Sequence, residues 1–325
     1  MSVHHPWHMW STVLRETYGA RVHKISLDLG AGCPHREGLQ RKGCIFCDAR
    51  GGGSGAALSG ISLAEQVRKG AETCLRRFGA TRAILYFQSY SATFLPLEEL
   101  RRRVEEALAE ASRAITVVGV AVGTRPDLVP ESVLDFLASL AERPVLQKDT
   151  VRGNTEGTCP PFPETLQIWL ELGVQTTDPA GLAWLNRGHD LGAVEDAFSR
   201  ARQRGLHLCA HLVAGIPGEA QDQLERSARF VTRLGAEAVK FHPLHVLRDT
   251  ELERLYREGT FTPLSLDDYC RCLVGALFAL PEGTIVQRLT ADAHPPRLIA
   301  PEWIARKNDV LARLEDMIAR RTPQP

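Results

Sequence analysis

The chain has 325 residues, of ordinary globular composition, with 39 basic side chains against 39 acidic ones. That length accommodates one large α/β domain or two ordinary ones. The zero formal charge gives no support to a generic nucleic-acid binder, and no apolar run approaches the ~20 residues that span a bilayer.

The N-terminus, MSVHHPWHMWS, has no basic stretch followed by an apolar one, so a secretory signal is not expected. Eight cysteines without such a signal imply a reducing cytoplasm. They are then expected as ligands, core residues or free thiols.

Strand followed by helix recurs along the chain. VHKISLDLG (22–30) reads as a strand ending in glycine. SLAEQVRKGAETCLRRFG (62–79) reads as a helix with a Ser62/Glu65 capping box and an apolar stripe. Strand 83–88, helix 96–111, strand 114–123 and helix 130–142 follow. Arg101, Arg102 and Arg103 read as a solvated helix face. Residues 143–164, rich in proline, glycine and threonine, read as an inserted loop.

The alternation resumes with strand 166–175 and a helix over 178–188, capped by Asp178. A further helix, a strand and turn over 206–218, another helix and strand 236–245 complete six strand units. The tail adds a helix near 265–280, strand 284–289 and helix 302–321. Apolar strands alternating with helices point to a parallel sheet. Six units leave two choices, an open six-unit barrel or a doubly wound sheet. In either, sites form where the strands run out.

Cys33, Cys44 and Cys47 lie just after the first strand, at spacing C-x10-C-x2-C. Structural zinc wants four closed ligands, and no second C-x2-C pair exists, although His35 lies nearby. An iron–sulfur cluster held by three cysteines keeps one iron open for a chelating molecule. Cys74 shares the apolar helical stripe and reads as core. Cys270 and Cys272 face different ways on a helix, and Cys159 lies in the insert. GGGSGA (51–56) lacks the following Lys-Ser/Thr of a P-loop and reads as a flexible loop after the cysteines.

The segment KISLDLGAGCPHREGLQRKGCIFC resembles the cluster segment of the radical S-adenosylmethionine (SAM) superfamily. More narrowly, the chain resembles the YhcC-like family, related to the radical SAM core of the Elongator catalytic subunit. YFQSYSAT, VGTRPD, WLELGVQT, LNRGHD, HLVAGIPGE, VKFHPLHVLRDTELERLYREG and LTADAHPPRLIAPEW are similar to its later blocks, in order. The resemblance implies a partial (β/α)6 TIM-like barrel over 1–245, with a cluster loop at 30–50, an insert near 143–164 and a C-terminal α/β extension over 246–325.

It implies a 4Fe–4S cluster on Cys33, Cys44 and Cys47, with SAM chelating the open iron. Reductive cleavage of SAM then gives a 5′-deoxyadenosyl radical that abstracts hydrogen. Gln88, Ser89, Tyr90, Glu171, Gln175, Arg187, Gly215 and Gly218 are the implied SAM contacts. The alternative for Glu171 is a salt bridge to Arg125 or Arg187, and His189 has a structural histidine as its alternative. Arg125, Asp127, Lys240, His242, His245 and Arg288 are the substrate-side candidates, with ion pairing to the C-terminal segment as the alternative. Related proteins imply a tRNA wobble-uridine side chain as substrate, and a ferredoxin or flavodoxin as one-electron donor. The competing readings are a radical SAM enzyme acting on a small metabolite or peptide, and a non-catalytic zinc-stabilised binding protein. The insert looks longer than its counterpart in relatives. The chain also lacks room for the acetyltransferase domain of the Elongator subunit, so chemistry that depends on that domain is not carried over.

Overall fold

The computed structural model describes residues 7–36, 43–148 and 163–321. Most of the expected insert, including Cys159, lies outside the described residues. The chain opens with a short strand, β1 (Trp7–Met9), and a helix, α1 (Trp10–Tyr18). Six strand–helix units follow: β2 (Val22–Asp28), α2 (Leu63–Phe78), β3 (Arg82–Gln88), α3 (Leu97–Ala114), β4 (Thr116–Thr124), α4 (Glu131–Leu140), β5 (Gln167–Gln175), α5 (Pro179–Trp184), α6 (Leu191–Gln203), β6 (His207–Ala214), α7 (Gln223–Arg233) and β7 (Ala238–Pro243). The remaining elements are β8 (Val246–Leu247), α8 (Glu251–Arg257), α9 (Leu266–Phe278), β9 (Thr284–Arg288), β10 (Leu298–Ala300) and α10 (Lys307–Arg321).

Local chemistry sets the helix starts. Ser62 accepts a hydrogen bond from the Glu65 amide, and Asp178, Asp190, Thr250 and Ser265 cap their helices in the same way. The helix after Asp178 stops at Trp184, short of the expected end just before Gly188. The chain then turns through Asn186, whose φ is 54°.

The main sheet is parallel, in the order β1-β9-β7-β6-β5-β4-β3-β2. The six expected strands pair in sequence as a curled partial barrel. Two more strands extend it beyond expectation. β9, from the expected C-terminal extension, pairs with β7, and β1 pairs with β9. The extension therefore joins the sheet as well as packing on it. Three- and five-residue strands carry little periodicity of their own; their pairing is fixed by distant partners.

The period of two divides each strand between two cores. Ala83, Leu85 and Phe87 of β3 belong to the layer shared with the outer helices. Ile84 and Tyr86 belong to an inner cluster with Trp10, Leu14 and Tyr18 of α1 and with Trp169. Trp10 meets Trp169 edge-on at 4.7 Å between ring centroids, and the Tyr18 hydroxyl donates to the Val118 carbonyl at 3.3 Å. The inner-cluster residues sit early in most of the strands, so α1 plugs the barrel near the strand starts. The opposite end is left for a site.

Candidate active site

The three cysteines ride on a loop at the C-terminal edge of the sheet. Cys33 and Cys44 are buried, and Cys47 is partly exposed. The loop is braced from several directions. The Asn186 side chain donates to the Gly43 carbonyl at 2.7 Å, the Ile45 amide donates to Leu185 at 3.2 Å, and the Leu252 amide of α8 donates to Ile45 at 2.9 Å. Arg36 donates to the carbonyls of Asp48 and Cys47 at 2.6 and 3.0 Å. Asp48 is also ion-paired to Arg297 from the C-terminal segment. Ile45 and Phe46 pack on an apolar cluster that includes Leu185, Val246, Leu252 and Phe261.

Two guanidinium groups face the sulfurs. Arg187 donates through Nη1 to Cys44 Sγ at 3.2 Å and through Nη2 to the Gly173 carbonyl at 2.8 Å. Arg125 reaches Cys33 Sγ at 3.8 Å while forking onto Asp127 at 2.9 and 2.7 Å. Burial pushes the Cys47 thiol up to about 12, with Cys44 adding to the rise. Such a thiol ionises when a bound metal supplies positive charge.

The loop opens onto a cavity of about 440 Å³ walled by the ends of β2 to β7 and β9. Gln88, Ser89, Tyr90, Gln175 and Arg187 line its upper wall, with Cys47. Ser89, Tyr90 and Gln175 have φ of 101°, 50° and 71°, strained values for residues with a side chain. The glycine-rich segment explains the first two. A Cβ on Gly51 would lie 2.4 Å from the Tyr90 ring, and one on Gly53 would lie 2.2 Å from the Ser89 oxygen. The Tyr90 amide donates to the Gly51 carbonyl at 2.8 Å, and its hydroxyl donates to Ala49 at 2.7 Å. The expected flexible loop is instead a packed wall, with glycine where the backbones meet.

The floor carries charge. Glu171 is fully buried. Its carboxylate is ion-paired to Lys24 and Lys240 and bonded to His211 Nε2 at 3.0 Å. Neither Arg125 nor Arg187 is its partner, which corrects that alternative; both guanidiniums are drawn to the cysteine side. Burial works against the Glu171 anion, and the two lysines outweigh it, holding its carboxyl well below the usual range. Burial lowers Lys240 to about 8, against the pull of Glu171. Lys24 also donates to Gln287 Oε1 at 2.7 Å, and Lys240 lies 4.4 Å from the Tyr86 ring centroid. His242, His245 and Arg288 line the same cavity.

Other expected residues fall elsewhere. Gly215 and Gly218, the implied SAM contacts at the end of β6, line a neighbouring cavity with Phe261 and Leu264. Asp127 stands off the wall and acts on Arg125. His189 is buried between Arg187 and Asp127, and burial followed by Arg187 lowers it to about 3. Lys24, Tyr86, His211 and Arg297 were not anticipated. The signal for His211 was a basic residue inside a largely apolar strand.

The arrangement fits a soft, polar cofactor assembly. The three thiols come from one loop, as an iron–sulfur cluster requires. Among the described residues, the buried atoms Ser89 Oγ, Arg187 Nε and His242 Nε2 have no hydrogen-bond partner, and all three residues line the cavity. Buried polar atoms left unpaired are costly unless a ligand meets them. Among the described residues, no three or more of His, Cys, Asp and Glu are arranged to hold a single metal ion. Among the same residues, no helix is long and apolar enough to cross a membrane.

Comparison with known proteins agrees with this geometry. A family model described as "Radical SAM superfamily" matches residues 28–231, and one described as "Radical_SAM C-terminal domain" matches 236–320. Protein YhcC of Escherichia coli (strain K12) is 34% identical over 296 residues, covering 91% of this chain and 86% of YhcC. YtqA of Bacillus subtilis (strain 168) is 32% identical over 316 residues, covering 97% and 90%. The solved structure of archaeal Methanocaldococcus infernus Elp3, with an N-terminal deletion, matches with a TM-score of 0.65 at 17% identity. That match covers 91% of this chain and 63% of the Elp3 chain, and it concerns the fold.

Proposed function

The chain belongs to the radical SAM superfamily and is a radical SAM enzyme; we propose that Cys33, Cys44 and Cys47 hold its 4Fe–4S cluster and that the cavity beside them takes SAM and a substrate. The chemistry supplied when cluster and SAM are bound is one-electron cleavage of SAM to a 5′-deoxyadenosyl radical, which takes a hydrogen atom from the substrate. The chain's own residues bind, orient and exclude water. Gln88, Ser89, Tyr90 and Gln175 are the proposed SAM contacts of the upper wall. Arg187, with its partnerless buried Nε, is the proposed partner of the SAM carboxylate. Glu171 acts through Lys24, Lys240 and His211, fixing the floor rather than meeting SAM. Lys240, His242, His245 and Arg288 form the proposed substrate wall.

The observation that carries this reading is the braced loop of three cysteines opening on a cavity with unpaired buried polar atoms. Anaerobic reconstitution tests it. About four irons per chain are expected, lost in Cys→Ala variants at 33, 44 or 47. The reduced holoprotein with SAM is expected to release 5′-deoxyadenosine. Zinc bound without iron uptake would refute the reading.

For the substrate, the tRNA wobble-uridine side chain is the proposal, resting on the resemblance to the Elongator radical SAM core. Comparing modified nucleosides of total tRNA from cells with and without the gene tests it; unchanged wobble uridines would sink it. The second reading, a small metabolite or peptide, is favoured by the zero formal charge and the modest cavity. A ferredoxin or flavodoxin is the proposed electron donor. A cytoplasmic location is proposed because the seven described cysteines are all free thiols.

A further inference from the structure

Three basic residues share one register row across neighbouring strands. His211 of β6 is paired with Lys240 of β7, and Lys240 is paired with Arg288 of β9. All three line the cavity. Like charges placed directly opposite destabilise a sheet unless something answers them.

The protein answers only part of this row. Glu171 is shared between Lys24 and Lys240. Burial, with Lys240 adding to it, lowers His211 to about 4, so it is neutral at pH 7. Arg288 is exposed and lines the cavity, and its side chain has no ion pair or hydrogen bond among the described residues. The other two acids of the lining are engaged elsewhere. Asp48 is ion-paired to Arg297, and Asp292, itself exposed, bonds to His294 at 3.2 Å. Lys24, Lys240 and Arg288 therefore face a single carboxylate. Beside them His242 presents a buried Nε2 without a partner, 5.7 Å from His211 between ring centroids.

We propose that Lys240, Arg288 and His242 form an oxyanion subsite, so that the substrate enters bearing a carboxylate or phosphate group that this row binds. The proposal rests on the reading that SAM occupies the cysteine side of the same cavity. SAM carries a carboxylate of its own, but Arg187 beside Cys44 already offers that group a guanidinium. The oxyanion at the row belongs to the second molecule. Arg288 supplies the forked contact, Lys240 a point charge, and Glu171 keeps Lys240 protonated and in place.

The test uses reconstituted holoprotein saturated with SAM, under anaerobic equilibrium dialysis against labelled succinate or labelled inorganic phosphate. One equivalent of either probe is expected to bind. Preference for succinate assigns a carboxylate substrate, and preference for phosphate assigns a phosphorylated one. Arg288→Gln is expected to weaken binding about tenfold, the size of one lost charge-assisted contact. Arg288→Lys should restore most of it, and SAM affinity should stay within about twofold in both variants. Arg288 is exposed, so both variants keep the fold. Absence of binding by either probe, an unchanged affinity in Arg288→Gln, or displacement of the probe by SAM would overturn the proposal. Probe binding that persists in a holoprotein releasing no 5′-deoxyadenosine would instead count against the radical reading and leave the subsite standing.

Discussion

Replacing Glu171 by Gln removes the buried carboxylate that Lys24 and Lys240 share. The volume is almost unchanged, so the effect is electrostatic. Lys240 is already lowered from 10.5 to about 8 by burial. That shift corresponds to roughly 3 kcal/mol held against folding at neutral pH. Without Glu171 the side chain loses its proton more readily, and complete deprotonation at pH 7 corresponds to roughly 5 kcal/mol. Lys240 therefore adds about 1–2 kcal/mol to the loss. Lys24, stranded beside it with only Gln287, adds more. Breaking a buried pair from one side costs about 3–5 kcal/mol, so the expected loss is about 3 kcal/mol at pH 7.

For a 325-residue chain the unfolding entropy is roughly 0.7 kcal/mol/K. The melting temperature should then fall by about 4–5 °C. The pH dependence identifies the cause. A lysine with a lowered folded pKa binds fewer protons when folded, so its penalty is present below about 8 and is relieved as pH rises toward 10.5. At pH 10 the Glu171→Gln loss should shrink to about half. Glu171→Gln combined with Lys240→Met should recover about 1–2 kcal/mol relative to the single variant. Anaerobic urea denaturation followed by circular dichroism measures all three. A loss below about 1 kcal/mol at pH 7, or an equal loss at both pH values, would refute the buried charge centre.

Three further outcomes are expected. Gly51→Ala places a Cβ against the Tyr90 ring at a φ of +60°; the local cost of at least about 1 kcal/mol should appear as weakened SAM binding in calorimetry, with little change in melting temperature. Arg187→Met removes the donor 3.2 Å from Cys44 Sγ, and hydrogen bonds to cluster sulfurs help set the potential, so a redox titration followed by electron paramagnetic resonance should find the cluster a few tens of mV more negative. Glu219 is raised by burial to about 7 despite a hydrogen bond from Thr176. A carboxyl raised above its unfolded value loses its stabilising contribution as pH rises through the folded pKa; Glu219→Gln should therefore stabilise the protein by about 1–2 kcal/mol at pH 8, with no change at pH 4, in parallel denaturation curves.

Much of the architecture was legible because long periodic segments declare themselves locally. The Ser62 cap of α2 and most of its stripe appear as expected, although Leu75, expected on that stripe, is exposed and Cys74 is buried; the six sequential strands also appear. The opening helix α1 was missed, although Trp10, Leu14 and Tyr18 recur at i, i+4 and i+8. Its strand partner β1 is three residues long and takes its position from β9. The spacing of Cys33, Cys44 and Cys47 drew attention to their loop, and the family resemblance of the later segments, not the spacing, pointed to a cluster. The partners of Glu171 were not, because a strand shows which residues share a face but not which strand turns a lysine toward them. Lys24 lies 147 residues from Glu171 and Lys240 lies 69 residues away.

The C-terminal segment shows why a boundary near residue 245 was attractive and incomplete. The chain there breaks into short strands and helices, which looks like an appendage. Yet Arg288 completes the basic row through β9, and Arg297 is ion-paired to Asp48 one residue after Cys47. The Leu252 amide donates to the Ile45 carbonyl inside the cysteine loop. A barrel ending at β7 would lack the fourth side of its cavity and the outer brace of its cysteine loop. The segment after residue 245 therefore belongs to the site as much as the six strands before it.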